Sequence, residues 1–121
     1  MGKRNIAIVV QRYGEDVNGG AELHARWLAE HLLEIGDVTV LTTCAIDYYT
    51  WKSHYPAGTS TLNGVTVERF PVDKERDWEK ATVASRKIAL EESTPAQQLD
   101  WIREQGPYST CLLYTSDAAD E

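Results

Sequence analysis

A pair of glycines lies where the chain leaves a predicted strand and enters a predicted helix. Asn18, Gly19 and Gly20 form this turn. Free N–H groups and the helix dipole there favour an anion or a sugar hydroxyl, and glycine lets a ligand approach the backbone closely. Glu22 and His24 follow in the first helical turn and are candidates to line the same cleft. For the glycines, the alternative is an ordinary turn between strand and helix. For His24, a solvated helix face is favoured. The spacing of the glycines is not that of a dinucleotide-binding fingerprint.

A loop at residues 44–58 is rich in aromatic side chains. Its ring-bearing residues are Tyr48, Tyr49, Trp51, His54 and Tyr55. Flat aromatic faces suit the apolar C–H face of a sugar ring, and the polar tips of the rings can still form hydrogen bonds. The alternative is a loop that folds back and packs its own aromatic side chains. Both roles are compatible within one loop.

Other chemical motifs do not occur in the sequence. It has no Walker lysine, no nucleophile elbow and no zinc-protease helix motif. Glu15 and Asp16 are adjacent acids, but they fall in a loop rather than at the end of the first strand, where a phospho-receiver domain needs an acid pair. Cys44 and Cys111 have neither metal-ligand spacing nor a disulfide framework. We therefore predict no metal site.

The composition is that of a soluble globular domain. The chain has 121 residues, of which 42% are hydrophobic and 26% are charged. A net charge of -7 argues against a nucleic-acid partner, which usually needs a basic face. No segment approaches the roughly 20 apolar residues that span a bilayer, and residues 6–10 are too short for a signal-peptide core. We expect a cytoplasmic protein.

The elements around the glycine turn predict an α/β fold. Residues 5–11 and 37–43 are apolar runs of strand length, typical of strands buried on both faces. Residues 21–35 between them have helical periodicity. Strand, helix and strand in this order form a βαβ unit, so the two strands should be adjacent and parallel, with a right-handed crossover.

The helix is predicted to bury one stripe and to carry charge pairs on its other side. The stripe comprises Ala21, Ala25, Leu28, Leu32 and Ile35. Arg26 is spaced to pair with Glu22 on one side and Glu30 on the other. Gly36 is expected to end the helix as a C′ residue.

The second half of the chain is predicted to begin with a β-hairpin. Residues 59–62 and 65–70 flank Asn63 and Gly64, a strong signal for a two-residue hairpin turn. The sheet is therefore expected to be Rossmann-like and parallel, with flanking helices and an added hairpin.

Two helices are predicted after the hairpin. Residues 78–92 have a weak helical pattern, and residues 95–105 a stronger one. Thr94 should be the N-cap of the second helix, with Pro95 at its first position.

Residues 111–121 have no convincing structural period. Their back-translation resembles a transposase mosaic-end adapter from sequencing libraries, read through in frame. We expect residues 1–110 to form the partial domain and residues 111–121 to be a non-native tail with few contacts. The alternative is a genuine frayed terminus.

Four segments of the chain resemble the opening of glycosyltransferase family 4 proteins of the GT-B fold. They are residues 6–24, 37–51, 63–71 and 105–109. The resemblance implies two Rossmann-like domains with a cleft between them, and a retaining, metal-independent transfer from a nucleoside-diphosphate sugar as co-substrate. The N-terminal domain of such enzymes mainly holds the acceptor, while its glycine turn approaches the donor diphosphate.

The resemblance carries Gly19 and Gly20 over as cleft glycines, and it makes Tyr48, Tyr49 and Trp51 candidates for an acceptor loop. Catalytic residues are expected beyond Ser109, so we expect this chain to be an incomplete N-terminal domain that is inactive alone. The expected acceptor is a glycan, a lipid or a small molecule. Peripheral contact of the full-length enzyme with a membrane is compatible with this expectation. The alternatives are a non-catalytic nucleotide- or sugar-binding α/β module and, less well supported, a receiver-like domain.

Overall fold

The computed structural model describes residues 4–107 and 109–113, and this part of the chain forms an α/β fold around a four-stranded sheet. The elements in chain order are β1 (Arg4–Val9), α1 (Gly20–Leu32), β2 (Gly36–Thr43), β3 (Gly58–Leu62), β4 (Val65–Phe70), α2 (Trp78–Ala89) and α3 (Pro95–Arg103). The strands lie in the order β1, β2, β4, β3. β1, β2 and β4 run parallel, and β3 is antiparallel to β4.

The predicted βαβ unit is confirmed. β1 pairs with β2 in parallel, and the register places Ile6 opposite Val38 and Ile8 opposite Val40. α1 joins the two strands and packs on the sheet. The core lies between α1 and the central strands, and its buried members are Tyr13, Ala29, Val38, Val40, Val65 and Val67. Because β1, β2 and β4 run parallel, their carboxyl ends, and the loops that follow, lie at one edge of the sheet.

The buried stripe predicted for α1 is wrong in part. Ala25 and Ala29 are buried, but Leu28 is 44% exposed and Ile35, which lies after the helix ends, is 53% exposed. Ala21 is also exposed. The face against the sheet comprises Ala25, Ala29 and the predicted Leu32, and Leu33 packs beside it just after the helix. The 3.6-residue period alone does not fix which side chains face the sheet.

The charge pairs predicted within α1 are replaced by contacts with other elements. The Glu22 carboxylate pairs with Arg12, which lies after β1. Arg26 donates to a backbone carbonyl of the β1–α1 loop at 3.4 Å. Glu30 accepts a hydrogen bond from the Asn63 amide of the hairpin turn at 2.7 Å. Each charged side chain of this group therefore ties α1 to the rest of the domain rather than to itself.

Two glycines at turns act for different reasons. The prediction that Gly36 is the C′ residue of α1 is wrong. Gly36 is the first residue of β2, where a Cβ would collide with the Arg4 carbonyl. Its role is the close approach of β2 to β1. The hairpin prediction is confirmed: Asn63 and Gly64 join β3 and β4 with φ of 51° and 88°, the signs that a type I′ turn requires.

The two predicted helices are confirmed with shorter ends. α2 ends at Ala89 and α3 at Arg103. Thr94 is the N-cap of α3, where its side chain accepts from the Gln97 N–H and the Gln97 side chain accepts from the Thr94 N–H. This capping box fixes the start of α3, although no side chain of α3 is fully buried.

The predicted tail at residues 111–121 is described only in part. Residues 111–113 are helical, and Leu113 donates its N–H to the Ser109 carbonyl. Residues 114–121 lie outside the described part of the chain, so for them the expectation of few contacts stays a prediction. Across residues 4–107 and 109–113, none of the helices has the length and apolar character needed to cross a bilayer.

Candidate functional site

A cleft of about 550 Å³ opens beside the carboxyl ends of β1 and β2. Its wall is formed by side chains from the loops after these strands, from the start of α1 and α2, and from the end of α3. Those that define its chemistry are Gln11, Arg12, Glu22, Tyr48, Trp51, Arg76, Trp78 and Gln105. Ligands of open α/β sheets bind in this position, outside the carboxyl ends of the strands.

An ion pair between Arg12 and Glu22 forms one wall of the cleft. The Arg12 Nη2 and Nε donate to Glu22 Oε1 at 2.8 and 3.2 Å, and the side chains are only 7% and 13% exposed. The remaining Arg12 donors reach the carbonyls of Ile46 at 3.0 Å and Asn18 at 3.1 Å. Arg12 therefore holds the glycine turn and the aromatic loop together at the end of β1.

The predicted glycine-turn residues have separate roles. Glu22 lines the cleft, whereas Gly19, Gly20 and His24 do not. Gly19 has a φ of 146°, and a Cβ there would collide with the Glu22 carboxylate and lie 3.2 Å from Arg12 Nη2. A Cβ on Gly20 would meet nothing within 4 Å, and His24 is exposed on α1. Gly19 thus makes room for the ion pair, while Gly20 leaves the start of α1 open to solvent.

Arg76 fastens the aromatic loop from the opposite side. Its guanidinium donates to the carbonyls of Tyr48 at 2.8 Å, Tyr49 at 3.1 Å and Glu104 at 3.0 Å. Its own N–H donates to the Thr50 carbonyl at 2.6 Å. Arg76 is only 8% exposed, so these carbonyls replace the water lost on burial. The loop is thereby joined to the end of α3.

Three exposed rings lie together at the mouth of the cleft, and we call them the aromatic platform: Tyr48, Tyr49 and Trp78. Tyr48 and Tyr49 are stacked with centroids 4.2 Å apart, and Trp78 meets Tyr49 edge-on at 4.8 Å. Their exposed fractions are 45%, 44% and 43%. The guanidinium of Arg12 lies 5.5 Å from the Tyr48 centroid, and that of Arg76 lies 5.3 Å from the Trp78 ring centroid.

The hydroxyl groups of Tyr48 and Tyr49 are hydrogen-bonded to each other. Their oxygens lie 3.0 Å apart. This hydrogen bond is the largest cause that raises the pKa of Tyr49 above its ordinary value of 10.0. The platform therefore combines flat rings with polar, hydrogen-bonding tips, as the residue types of this loop suggested.

The aromatic loop also packs part of itself inside, which is one of the two roles predicted for it. Trp51 is only 4% exposed and has a φ of 57°. Its buried indole N–H has no hydrogen-bond partner among the described residues. The Asp47 carboxylate caps the turn before it by accepting from the N–H groups of Tyr49 and Thr50 at 2.9 and 2.8 Å. Trp51 anchors the loop, which leaves Tyr48 and Tyr49 at the surface.

Sequence reasoning missed Arg12, Arg76 and Trp78. A signal existed for Arg12, since a charged residue directly after a buried strand lies at the ligand edge of the sheet. Trp78 was only the start of a helix in the sequence, and it joins the platform because α2 begins beside the aromatic loop. Nothing local marks Arg76, whose role depends on carbonyls far away along the chain.

Within residues 4–107 and 109–113, no group of three His, Cys, Asp or Glu side chains comes together in a way that would hold a metal ion. Comparisons with protein-family models, with curated proteins and with solved structures find no match for this chain.

Proposed function

We propose that the cleft binds a sugar and that this chain supplies the acceptor side of a glycosyltransferase that uses a nucleoside-diphosphate sugar. The observation that carries the proposal is the aromatic platform beside a cleft whose lining is both apolar and polar, with Tyr48 and Trp78 in its wall. A sugar ring has an apolar C–H face and a rim of hydroxyl groups, so it needs a flat ring below it and hydrogen-bonding groups around it.

The cleft offers both kinds of group. The residues Tyr48 and Trp78 are 45% and 43% exposed, and Gln11 and Gln105 bring amide groups to the same cleft. The two arginines use most of their donors within the protein, so they fix the platform rather than bind a phosphate. A preformed, rigid platform lowers the entropy lost when a sugar binds.

The start of α1 would serve the donor in this proposal. The N–H groups near Gly19 and Gly20 point from a helix N-terminus, which favours a diphosphate and would stabilise the charge that develops on it as the sugar departs. By the resemblance to family 4 glycosyltransferases, the nucleotide and the catalytic groups would come from residues beyond Ser109, with retention of anomeric configuration. The acceptor is a glycan, a lipid or a small molecule.

A non-catalytic sugar- or nucleotide-binding module is the second candidate, and one observation favours it. Glu22 is the acid in the cleft wall, and its carboxylate is held by two donors of Arg12. A carboxylate engaged in this way positions neighbouring loops and is poorly placed to exchange a proton with a substrate. The residues described here thus account for binding more directly than for chemistry.

The proposal is tested by titrating the isotope-labelled chain with free hexoses, a nucleoside diphosphate and the matching nucleotide-sugars, followed by NMR. We expect hexoses to shift the signals of the platform, with affinity about three- to tenfold weaker in Trp78→Ala. Trp27→Ala is the matched control, because Trp27 is a similarly exposed tryptophan, 56% accessible, on α1 outside the cleft. Equal weakening in both variants, or no hexose binding, would refute the sugar site.

Titration with the nucleoside diphosphate separates a glycosyltransferase half-site from a module that binds sugar alone. A glycosyltransferase half-site should show shifts of the Gly19 and Gly20 N–H signals when the diphosphate is added. A simple sugar-binding module should show platform shifts with free hexoses and no change at the glycine turn with the diphosphate.

A further inference from the structure

A second cavity is lined by a buried arginine, Arg69, that has no role in the cleft described above. Arg69 lies on β4, opposite Thr42 of β2 and Gly58 of β3 in the sheet register. It is only 8% exposed. Its guanidinium makes one long hydrogen bond, from Nη1 to the Thr43 carbonyl at 3.5 Å. Arg12 and Arg76, by contrast, each donate at least three hydrogen bonds.

Arg69 has no carboxylate partner among the described residues. Both ion pairs found there involve other side chains. Its main neighbour is the Tyr55 ring, whose centroid lies 3.9 Å from the guanidinium carbon. Burial lowers the pKa of Arg69, because desolvation disfavours the charged form. A cation buried without a partner costs free energy unless something else supplies an anion.

Tyr55 has unused polar capacity beside Arg69. Its buried hydroxyl has no hydrogen-bond partner in the described part of the chain. The β1–α1 loop leaves room for it, since a Cβ on Gly14 would lie 2.5 Å from the Tyr55 hydroxyl oxygen. A guanidinium with one long hydrogen bond and a phenol hydroxyl with none therefore lie side by side.

Both side chains line a cavity of about 250 Å³. This volume corresponds to about eight water molecules at their share of liquid volume, which suits a small metabolite rather than a nucleotide. Arg69 forms the buried part of the wall, and the exposed carboxylates of Glu15 and Asp16 lie at the rim with the hydroxyls of Thr59 and Ser60. The cavity shares no lining residue with the cleft described above.

We propose that this cavity binds a small hydroxylated carboxylate, whose carboxylate group pairs with Arg69 and whose hydroxyl groups donate to Glu15 and Asp16. The guanidinium fork matches the two oxygens of a carboxylate. A neutral polyol would leave Arg69 without an anion. A dianion would be repelled by the two carboxylates at the rim. The ligand is therefore a monoanion with a polar, uncharged tail.

The test uses three probes of similar size on the whole chain: glycerate, glycerol and inorganic phosphate. Glycerate and glycerol share a hydroxylated skeleton and differ in the carboxylate. With arginine side chains labelled for NMR, we expect glycerate to shift the Arg69 Nε–H signal of the unmodified protein, and glycerol to leave it unchanged. Binding of glycerol as tight as that of glycerate, or tighter binding of phosphate, would overturn the proposal.

Arg69→Met separates ligand binding from a structural role. This change keeps much of the side-chain length and removes the unpaired charge, so we expect the ligand-free protein to keep its melting temperature or to gain stability, while glycerate affinity falls at least about tenfold. Arg86→Met is the matched control, because Arg86 is exposed on α2 and does not line the cavity. A folded Arg69→Met protein that binds glycerate like the unmodified chain would overturn the proposal.

The Tyr48→Ala variant tests whether the two sites are independent. It changes the aromatic platform and should leave glycerate affinity unaltered, since Tyr48 does not line the second cavity. If it weakened glycerate binding as much as Arg69→Met does, the carboxylate would be bound at the platform and the second site would be refuted.

Discussion

Three arginines of the described chain are more than nine-tenths buried, and each meets the cost of burial differently. Arg12 is neutralised by Glu22, and Arg76 donates to carbonyls at the ends of the aromatic loop and α3. Arg69 stacks on Tyr55 and faces a cavity. The first two arginines have enough partners to be structural. The third does not, which is why it marks a ligand site.

At the residue scale, the roles assigned to the two glycines can be separated by matched substitutions. Gly19→Ala should destabilise the protein by about 1 to 3 kcal/mol, because the backbone conformation disfavours an L side chain and the Cβ would displace Glu22 from Arg12. Gly20→Ala should change the free energy of unfolding by less than about 1 kcal/mol, since the site is open and helical. Urea unfolding measures both. A Gly20→Ala loss equal to that of Gly19→Ala would contradict this assignment.

The candidate residues show how far local sequence reaches. The glycine turn, Glu22 and the aromatic loop could be found from their neighbours in the chain, and the cleft lies at the sheet edge that the βαβ pattern predicts. The sequence did not identify Arg12 as the partner of Glu22. Helical spacing pointed to Arg26, but in the folded protein Glu22 pairs with Arg12 in the loop after β1. The same limit applies to Trp78, whose distance from Tyr49 depends on how α2 is placed.

At the element scale, the strands were more predictable than the buried face of α1. β2 is buried over most of its length, as its apolar run predicts. The prediction that β1 is buried on both faces is wrong, because β1 lies at the edge of the sheet and its side chains are exposed or half-buried. The Asn63–Gly64 turn is encoded by two adjacent residues. Which side of α1 faces the sheet depends on how closely the helix packs. Ala29 is buried against the sheet, whereas its neighbour Leu28 is exposed. Both residues have apolar neighbours at helical spacing, so the pattern alone does not distinguish them.

α2 and α3 form the least buried part of the described chain. α3 has no fully buried side chain, and Ala81 is the buried residue of α2. Helices of this length are marginal without packing, so their end caps matter more than those of α1. The large exposed apolar side chains on the pair include Val83, Leu90, Leu99 and Ile102.

Removing the cap of α3 should therefore loosen α3 locally. We expect Thr94→Ala to cost about 1 kcal/mol and to speed amide hydrogen exchange in α3, with β2 and β4 unchanged. Ser93→Ala is the control, because Ser93 precedes the cap and makes only an exposed side-chain contact with Gln98. Uniformly faster exchange across the sheet in Thr94→Ala would instead mean that α3 unfolds together with the core.

At the scale of the whole molecule, the end of the described chain is tied back to the loop after β4. The Thr110 hydroxyl and N–H donate to the Asp73 carboxylate at 2.6 and 2.9 Å, and Ser109 is only 1% exposed. These hydrogen bonds lower the pKa of Asp73 below its ordinary value of 3.8. A lowered carboxyl pKa stabilises the folded state above 3.8, and this contribution is lost as the pH falls through the lowered value.

This connection predicts where truncation begins to matter. Deleting residues 111–121 should leave the urea midpoint unchanged at pH 7, because the anchoring side chains are Ser109 and Thr110, and Leu113 is 56% exposed. Deleting residues 109–121 should lower the midpoint, because it exposes the surface that Ser109 covers and removes both donors to Asp73.

Thr110→Val in the full chain isolates the contribution of the hydroxyl hydrogen bond: the pKa of Asp73, followed by NMR, should rise towards 3.8. A clear loss of stability on deleting residues 111–121 would make that segment part of the native fold, and an unchanged Asp73 titration in Thr110→Val would place the cause of its lowered pKa elsewhere.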